Sequence, residues 1–267
     1  MLLWQTSQTI NFAQGEFVML PAFFVLAAMK FGGLSFPAAL LVGLLAALLV
    51  LGLVFKRLVV DPLLRHGVLP LVISTLGLAI FFKEGVKEFY AAEAQSFPGV
   101  WPTTNVTIFG AVISAQSLVI IAVAVVAVGV LQWFLGGTRT GRQMQATAQN
   151  PMLARVLGIP VERMILYTFL VNAALVALAS FLVSPIYLAK FTNGELLGLA
   201  AFVAAIVGGF NQVRGAIVGG LLLGIADNLV AAYWSSQYRA AFPLFLLIAV
   251  ILWRPQGLLG RAEERTV

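Results

Sequence analysis

Residues 137–163 read GTRTGRQMQATAQNPMLARVLGIPVER. This is the longest clearly polar interval between strongly apolar runs. It carries Arg139, Arg142, Arg155 and Arg163 against a single acid, Glu162. The stretches on either side, 118–135 and 164–188, are each long enough for a membrane span, which needs about 20 largely apolar residues. The interval is therefore a cationic loop held between two spans. Excess Lys and Arg accumulate in cytoplasmic loops, which places this one inside.

Composition agrees. Of 267 residues, 61% are apolar and 10% charged, with mean hydropathy +1.01, whereas an average soluble domain is roughly a quarter charged. No strict period-2 alternation runs through the chain, which argues against a membrane β-barrel. The expected fold is all-α: a single transmembrane domain over 1–267, with the loop 137–163 on its cytoplasmic side. The net charge of +6 reports cytoplasmic loops rather than a nucleic-acid surface. Cysteine is absent, and with one histidine and ten acids no metal centre is expected. Residues 1–16 are too polar to span and show neither a basic region nor a cleavage site, so no removable signal is expected.

Outward from the loop, about eight membrane segments are expected, several of them short. The stretch 17–30 is short and holds Pro21, as in a re-entrant or broken helix. A span over 34–55 is closed by Lys56-Arg57, and a basic loop with Arg65 and Asp61 leads to His66. The apolar stretch 67–82 precedes an external loop, KEGVKEFYAAEAQSFPGVWPTTNVTIFG, with Trp101 and Pro102. Beyond 164–188 come 196–209, a turn at 210–214, a span over 215–233, an outer loop at 234–239 and a return over 240–253. Arg254, Arg261 and Arg265 then end the chain, and an even count leaves both termini inside. Gly215, Gly219, Gly220 and Gly224 have the spacing of small residues that admit close helix approach. An internal echo pairs GEFVMLPAFFVLAAM (15–29) with GELLGLAAFVAAIVG (194–208), matching Glu16 to Glu195. By this topology the copies run in opposite directions, as in the inverted repeats of transporters; similar composition alone also produces such echoes.

No GxxxxGK[ST], GxSxG, HExxH, CxxC or GxGxxG stretch occurs. His66 stands alone, and there is no nucleophile with a base. The chain is expected to be a conduit and not an enzyme, with no cofactor of its own. Glu16 and Glu195 stand at the starts of short apolar helices. Acids there are costly and often functional, and equally they are favoured by a helix dipole. Asp227 is the more isolated intramembrane acid, with Asn228 or a helix of another subunit as partner. Asn11, Glu16, Glu195 and Asp227 are the pore or gating candidates.

Within 137–163, a helix is predicted over 141–149. Asn150-Pro151 breaks it, since proline disfavours helix at the preceding residue. A second helix, MLARVLGI, takes Pro151 in its first turn and stops at Gly158, with Pro160 beyond. Leu153, Val156 and Leu157 share one face and Arg155 another. Such a helix lies on lipid headgroups or seats in a groove of another protein. Interfacial helices are common, so the residues alone favour the first.

A resemblance shifts that balance. GRQMQATAQNPMLARVLGIPVERMILYTFLVNAALVALAS closely resembles the cytoplasmic coupling loop of permease subunits of branched-chain amino acid ABC importers. INFAQGEFVMLPAF resembles that family's N-terminal signature, with Gln14 where histidine is usual. FVAAIVGGFNQVRGAIVGGLLLGIADNL and WRPQGLLGR resemble its C-terminal signature and ending. The family normally has a further membrane segment before the Asn-Phe-Ala signature; here residues 1–10 precede it.

The resemblance implies a multi-pass permease of a bacterial or archaeal inner membrane. It implies a second permease subunit, identical or related, two cytoplasmic ATPases that bind the ATP, and a soluble protein that delivers substrate. Carried onto matching positions, Gly141, Arg142, Ala146, Asn150, Ala154, Leu157, Gly158 and Ile159 form the coupling region, with Arg155 beside them. Branched-chain or other hydrophobic amino acids are the implied substrates, with urea or short amides the alternative. An ion-coupled secondary transporter is the rival from another class.

Overall fold

The computed structural model describes residues 11–64, 66–90, 92–99, 105–108, 111–209, 213–239 and 241–260. Residues 1–10, Arg65, Trp101, Pro102, Phe210, Asn211, Gln212, Arg261 and Arg265, on which some expectations above rest, lie outside them. Contacts divide the chain into two compact units, 2–194 and 195–267.

The first unit opens with helix α1, Gln14–Lys30. Helix α2 follows over Phe36–Leu63, then α3 over Val68–Tyr90. A short antiparallel hairpin pairs β1 (Asn105–Ile108) with β2 (Ala111–Ser114). Helix α4 spans Ala115–Gly137, α5 Arg139–Gln149, α6 Pro151–Val156 and α7 Val161–Tyr187. Helix α8, Asn193–Gly208, leads into the second unit, which holds α9 (Val213–Tyr233) and α10 (Phe242–Trp253). Among the described residues, α2, α3, α4, α7 and α9 are long and apolar enough to cross a membrane; α8 and α10 are apolar and shorter. The chain is thus a multi-pass helical membrane protein, and the hairpin is its departure from an all-helical reading.

Several helices run past the charges expected to end them. Lys56-Arg57 does not close α2, which continues as π-helix over Lys56–Val60. The wide π turn brings positions five apart together. The Asp61 N–H donates to the Lys56 carbonyl, and Lys56 Nζ meets Asp61 Oδ2 at 2.9 Å. The cation is therefore neutralised within the helix and need not leave it. Likewise α3 runs through KEGVKEFY to Tyr90, with Glu84 and Lys87 paired one turn apart at 2.9 Å.

Helix α1 is continuous through Pro21 and is the most enclosed element. Phe17 sits at its centre, with its ring 4.9 Å from Phe55 of α2 and 6.3 Å from Phe82 of α3. Phe55 in turn meets Phe169 of α7 at 6.0 Å. This aromatic cluster joins the helices of the first unit. In the second unit, Val203, Ala204 and Val207 of α8 gather with Leu223 of α9.

The glycine stripe divides into two faces. A Cβ on Gly215 would collide with the backbone of Gly208 and Gly209, and one on Gly219 with the Ala204 carbonyl. Gly220 and Gly224 meet nothing within 4 Å. Spacing i, i+4 puts Gly215 and Gly219 on the face against α8; Gly220 starts about 100° round the helix, on another face. Of the four expected packing glycines, Gly215 and Gly219 are the two that lie against a helix of this chain.

Candidate functional site

The loop 137–163 is built from caps. Thr138 Oγ accepts from the Gly141 N–H at 3.0 Å and donates to the Phe134 carbonyl at 2.7 Å, closing α4 and starting α5 together. Helix α5 begins two residues earlier than expected because of this cap, which the reading missed although threonine before a helix is a known start signal. Gly141, Met144 and Thr147 form its buried face. Gly141 acts through its lack of a side chain: a Cβ would strike the Phe134 carbonyl and Leu135. Arg142, one position on, is exposed, and Ala146 gives its carbonyl to the Asn150 N–H at 3.1 Å.

Asn150 is extended, as a residue before proline should be. Its Oδ1 accepts from the N–H groups of Met152 and Leu153, both at 3.0 Å. Pro151 needs no partner in the first turn. At the far end Leu157 caps α6, and Gly158 takes the left-handed conformation with φ +77°. The Gly158 N–H donates to the Arg155 carbonyl at 3.0 Å, and the Ile159 N–H to the Ala154 carbonyl at 2.9 Å. These bonds form a Schellman motif, which satisfies the carbonyls a helix end leaves open.

One side of this short helix is anchored and the other is bare. Ala154 is 2% exposed, while Met152 is 75% and Leu157 is 77% exposed, with Leu153 and Val156 also open. Arg139, Arg142, Arg155 and Arg163, in the same loop, are all exposed as well. A six-residue helix held by caps at both ends thus presents apolar side chains in a cationic loop.

The pore candidates fall in different places. Glu16 is 5% exposed and lies in the first turn of α1. A Cβ on Gly194, in the first turn of α8, would fall on its carboxylate. Glu16 therefore stands in the first turn of α1, where the helix's partial positive charge makes a buried carboxylate tolerable. Beside it, Gln14 Nε2 donates to Asn172 Oδ1 at 3.1 Å, and Asn172 Nδ2 donates to Gln14 Oε1 at 3.3 Å. Asn11 Oδ1 accepts from the Ala13 N–H at 3.0 Å, ahead of α1. Thr75 Oγ accepts from the Phe12 N–H at 3.3 Å. Asn11, Gln14, Thr75 and Asn172 thus form a set of polar contacts at the start of α1, and Glu16 meets Gly194 separately. Asn11 and Glu16 carry a signal in the sequence; Gly194 carries only its place before Glu195.

Glu195 and Asp227 belong to the second unit. Glu195 is exposed in the first turn of α8 and Asp227 is half-buried in α9. The Asn228 amide donates to the Gly224 carbonyl of its own helix at 2.8 Å. No group of three or more His, Cys, Asp or Glu suited to a metal occurs among the described residues.

The chain is 34% identical to the high-affinity branched-chain amino acid transport system permease protein LivH of Escherichia coli K12, over 97% of this chain and 88% of that protein. It is 33% identical to BraD of Pseudomonas aeruginosa, of the same description and coverage. It is 27% identical to a probable LivH of Methanocaldococcus jannaschii, over 97% of this chain and 85% of that protein. No solved structure matches. Residues 1–251 match the family described as branched-chain amino acid transport system, permease component, and the chain belongs to that family.

Proposed function

We propose that the protein is the membrane-spanning permease subunit of an ATP-binding-cassette importer for branched-chain amino acids. The observation that carries this reading is the doubly capped helix α6, with its apolar quartet exposed and its opposite side anchored. An interfacial helix needs no rigid cap, because lipid adapts to it. A helix seated in a protein groove gains from a fixed shape, because less ordering remains to be done on binding. The partner is a cytoplasmic ATPase, one for each of two permease subunits, which binds and hydrolyses the ATP. A second permease subunit, identical or related, completes the path, and a soluble binding protein delivers substrate outside. The relatives' descriptions favour amino acids over urea and short amides, and family membership argues against an ion-coupled transporter.

In this reading the chain forms one permease domain of a bacterial or archaeal inner membrane. Eight segments cross or enter the bilayer: α1 to α4 and α7 to α10. Asn11, Glu16, Glu195 and Asp227 border the path. An inverted repeat of α1 and α8 remains part of the proposal, supported by the Gly-Glu start common to both.

The test is to replace Met152, Leu153, Val156 and Leu157 together by serine in the reconstituted complex. Insertion should persist, ATPase co-purification should fail, and uptake of labelled leucine should be lost. Normal co-purification and uptake would exclude α6 as the docking element. Uptake of labelled urea but not leucine by the unaltered complex would overturn the substrate class.

A further inference from the structure

Helices α1 and α7 are tied at two levels. At the start of α1, the side chains of Gln14 and Asn172 exchange hydrogen bonds of 3.1 and 3.3 Å. Further along, the Ala22 N–H donates to Ser180 Oγ at 3.1 Å. Both ties join residues 158 positions apart. The helices therefore run in the same direction and in step, with about two turns between the ties.

The second tie sits where α1 is weakest. Pro21 has no N–H to give and crowds the Phe17 carbonyl, so the bonds beside it loosen. Ser180, 1% exposed, accepts the next N–H. From α3, the Tyr90 hydroxyl donates to the Phe23 carbonyl at 3.2 Å. A proline in a membrane helix is a natural hinge, and here the groups around it are held by two neighbours.

Helix α7 also starts three residues after the Gly158 turn that ends α6. It is thus the element common to the docking loop and to α1. Asn172 lies eight residues beyond Met164, where the apolar stretch of α7 begins, or about 12 Å along the axis. Gln14 is level with it, so α1 and Glu16 begin well within the apolar layer. The second tie is buried, with Ala22 and Ser180 each 1% exposed, and separating the helices would break the hydrogen bonds at both levels.

We infer that Gln14, Asn172 and Ser180 are positioning residues that make α1 and α7 one moving body, so that a push on α6 reaches Glu16. This rests on the docking reading above. The ATPase moves α6, α6 moves α7 through the Gly158–Pro160 turn, and the ties carry α1 along.

The experiment measures leucine uptake per ATP hydrolysed in the reconstituted complex. The double variant Asn172→Leu with Ser180→Ala should keep ATPase co-purification and basal hydrolysis while uptake per ATP falls about tenfold, within the usual range of coupling energies. Two conservative variants should restore coupling: Ser180→Thr, which keeps the hydroxyl, and the exchange Gln14→Asn with Asn172→Gln, which rebuilds the amide pair. Independently, Ala22→Cys with Ser180→Cys in this cysteine-free chain places thiols across the second tie. Their disulfide should leave uptake unchanged if the helices travel together. Normal uptake per ATP in the double variant, or an oxidised pair that blocks uptake until reduced, overturns the inference. In either case ATPase co-purification with the unaltered α6 leaves the docking reading standing. Should the double variant fail to insert, the disulfide alone decides.

Discussion

Gly158 offers a clean perturbation of the loop proposed to dock the ATPase. A Cβ there meets nothing within 4 Å, so a side chain adds no clash. What it adds is backbone strain, because φ is +77°. For an ordinary L-residue the left-handed region costs roughly 1–2 kcal/mol, and for a β-branched residue it is a genuine outlier. The chain would relieve that strain by turning to negative φ. It would then lose the bonds from Gly158 to Arg155 and from Ile159 to Ala154. A cost of about 1–2 kcal/mol lowers the share of correctly capped loop about 5- to 30-fold relative to the uncapped form. If the uncapped form does not dock, ATPase affinity falls by up to the same factor, less whatever margin the native cap holds in reserve. The assay is titration of purified ATPase subunit against reconstituted permease, read as half-saturation and as leucine uptake. The expected order of affinity is Gly158, then Asn, then Ala, then Val, since asparagine tolerates the left-handed region. Half-saturation equal for Gly158 and Gly158→Val, or Asn as poor as Val, would refute the reasoning.

Other substitutions probe the remaining parts. Asn150→Ala removes the acceptor for Met152 and Leu153 and should cost about 1 kcal/mol, raising half-saturation roughly fivefold, with Asn150→Asp close to normal. Gly219→Val drives a side chain into the Ala204 carbonyl and should abolish recovery of folded protein, while Gly220→Val leaves recovery intact, as judged by monodisperse yield in detergent. Gly194→Ala sets a methyl on the Glu16 carboxylate and should reduce uptake more than Gly129→Ala, whose site is open.

The loop 137–163 was legible because its chemistry is local. Asn150-Pro151, Gly158 and Pro160 each constrain the backbone within a turn, so sequence alone located a break, a short helix and a stop. Charge was a poorer guide to helix ends. Lys56-Arg57 was expected to close a span and KEGVKEFY to open an external loop, yet Lys56 and Lys87 each pair with an acid on their own helix, five positions after and three before. The glycine stripe revealed a close-packed helix but not which face meets a neighbour, since spacing carries no partner. The ties of α1 left no local mark at all. Gln14 appeared as a variant of a family signature, and Asn172 and Ser180 are lone polar residues in the apolar stretch 164–188. Their meaning lies in pairings 158 residues apart, which one sequence does not encode in any short window.

The C-terminal segment completes a helix made long before it. Helix α8 ends on the carbonyls of Val207 and Gly208, which accept from the N–H groups of Leu258 at 2.9 Å and Leu259 at 3.0 Å. Gly209 and Gly257, both left-handed, bring the two backbones together there. During synthesis, α8 emerges with these carbonyls bare and waits while α9 and α10 are made. Val207, Gly208 and Gly209 are buried, and a buried carbonyl left bare is costly. The second unit therefore reaches its final hydrogen bonding only when the WRPQGLLG stretch arrives, and a ribosome that stops short of Leu258 releases a membrane protein with an open seam.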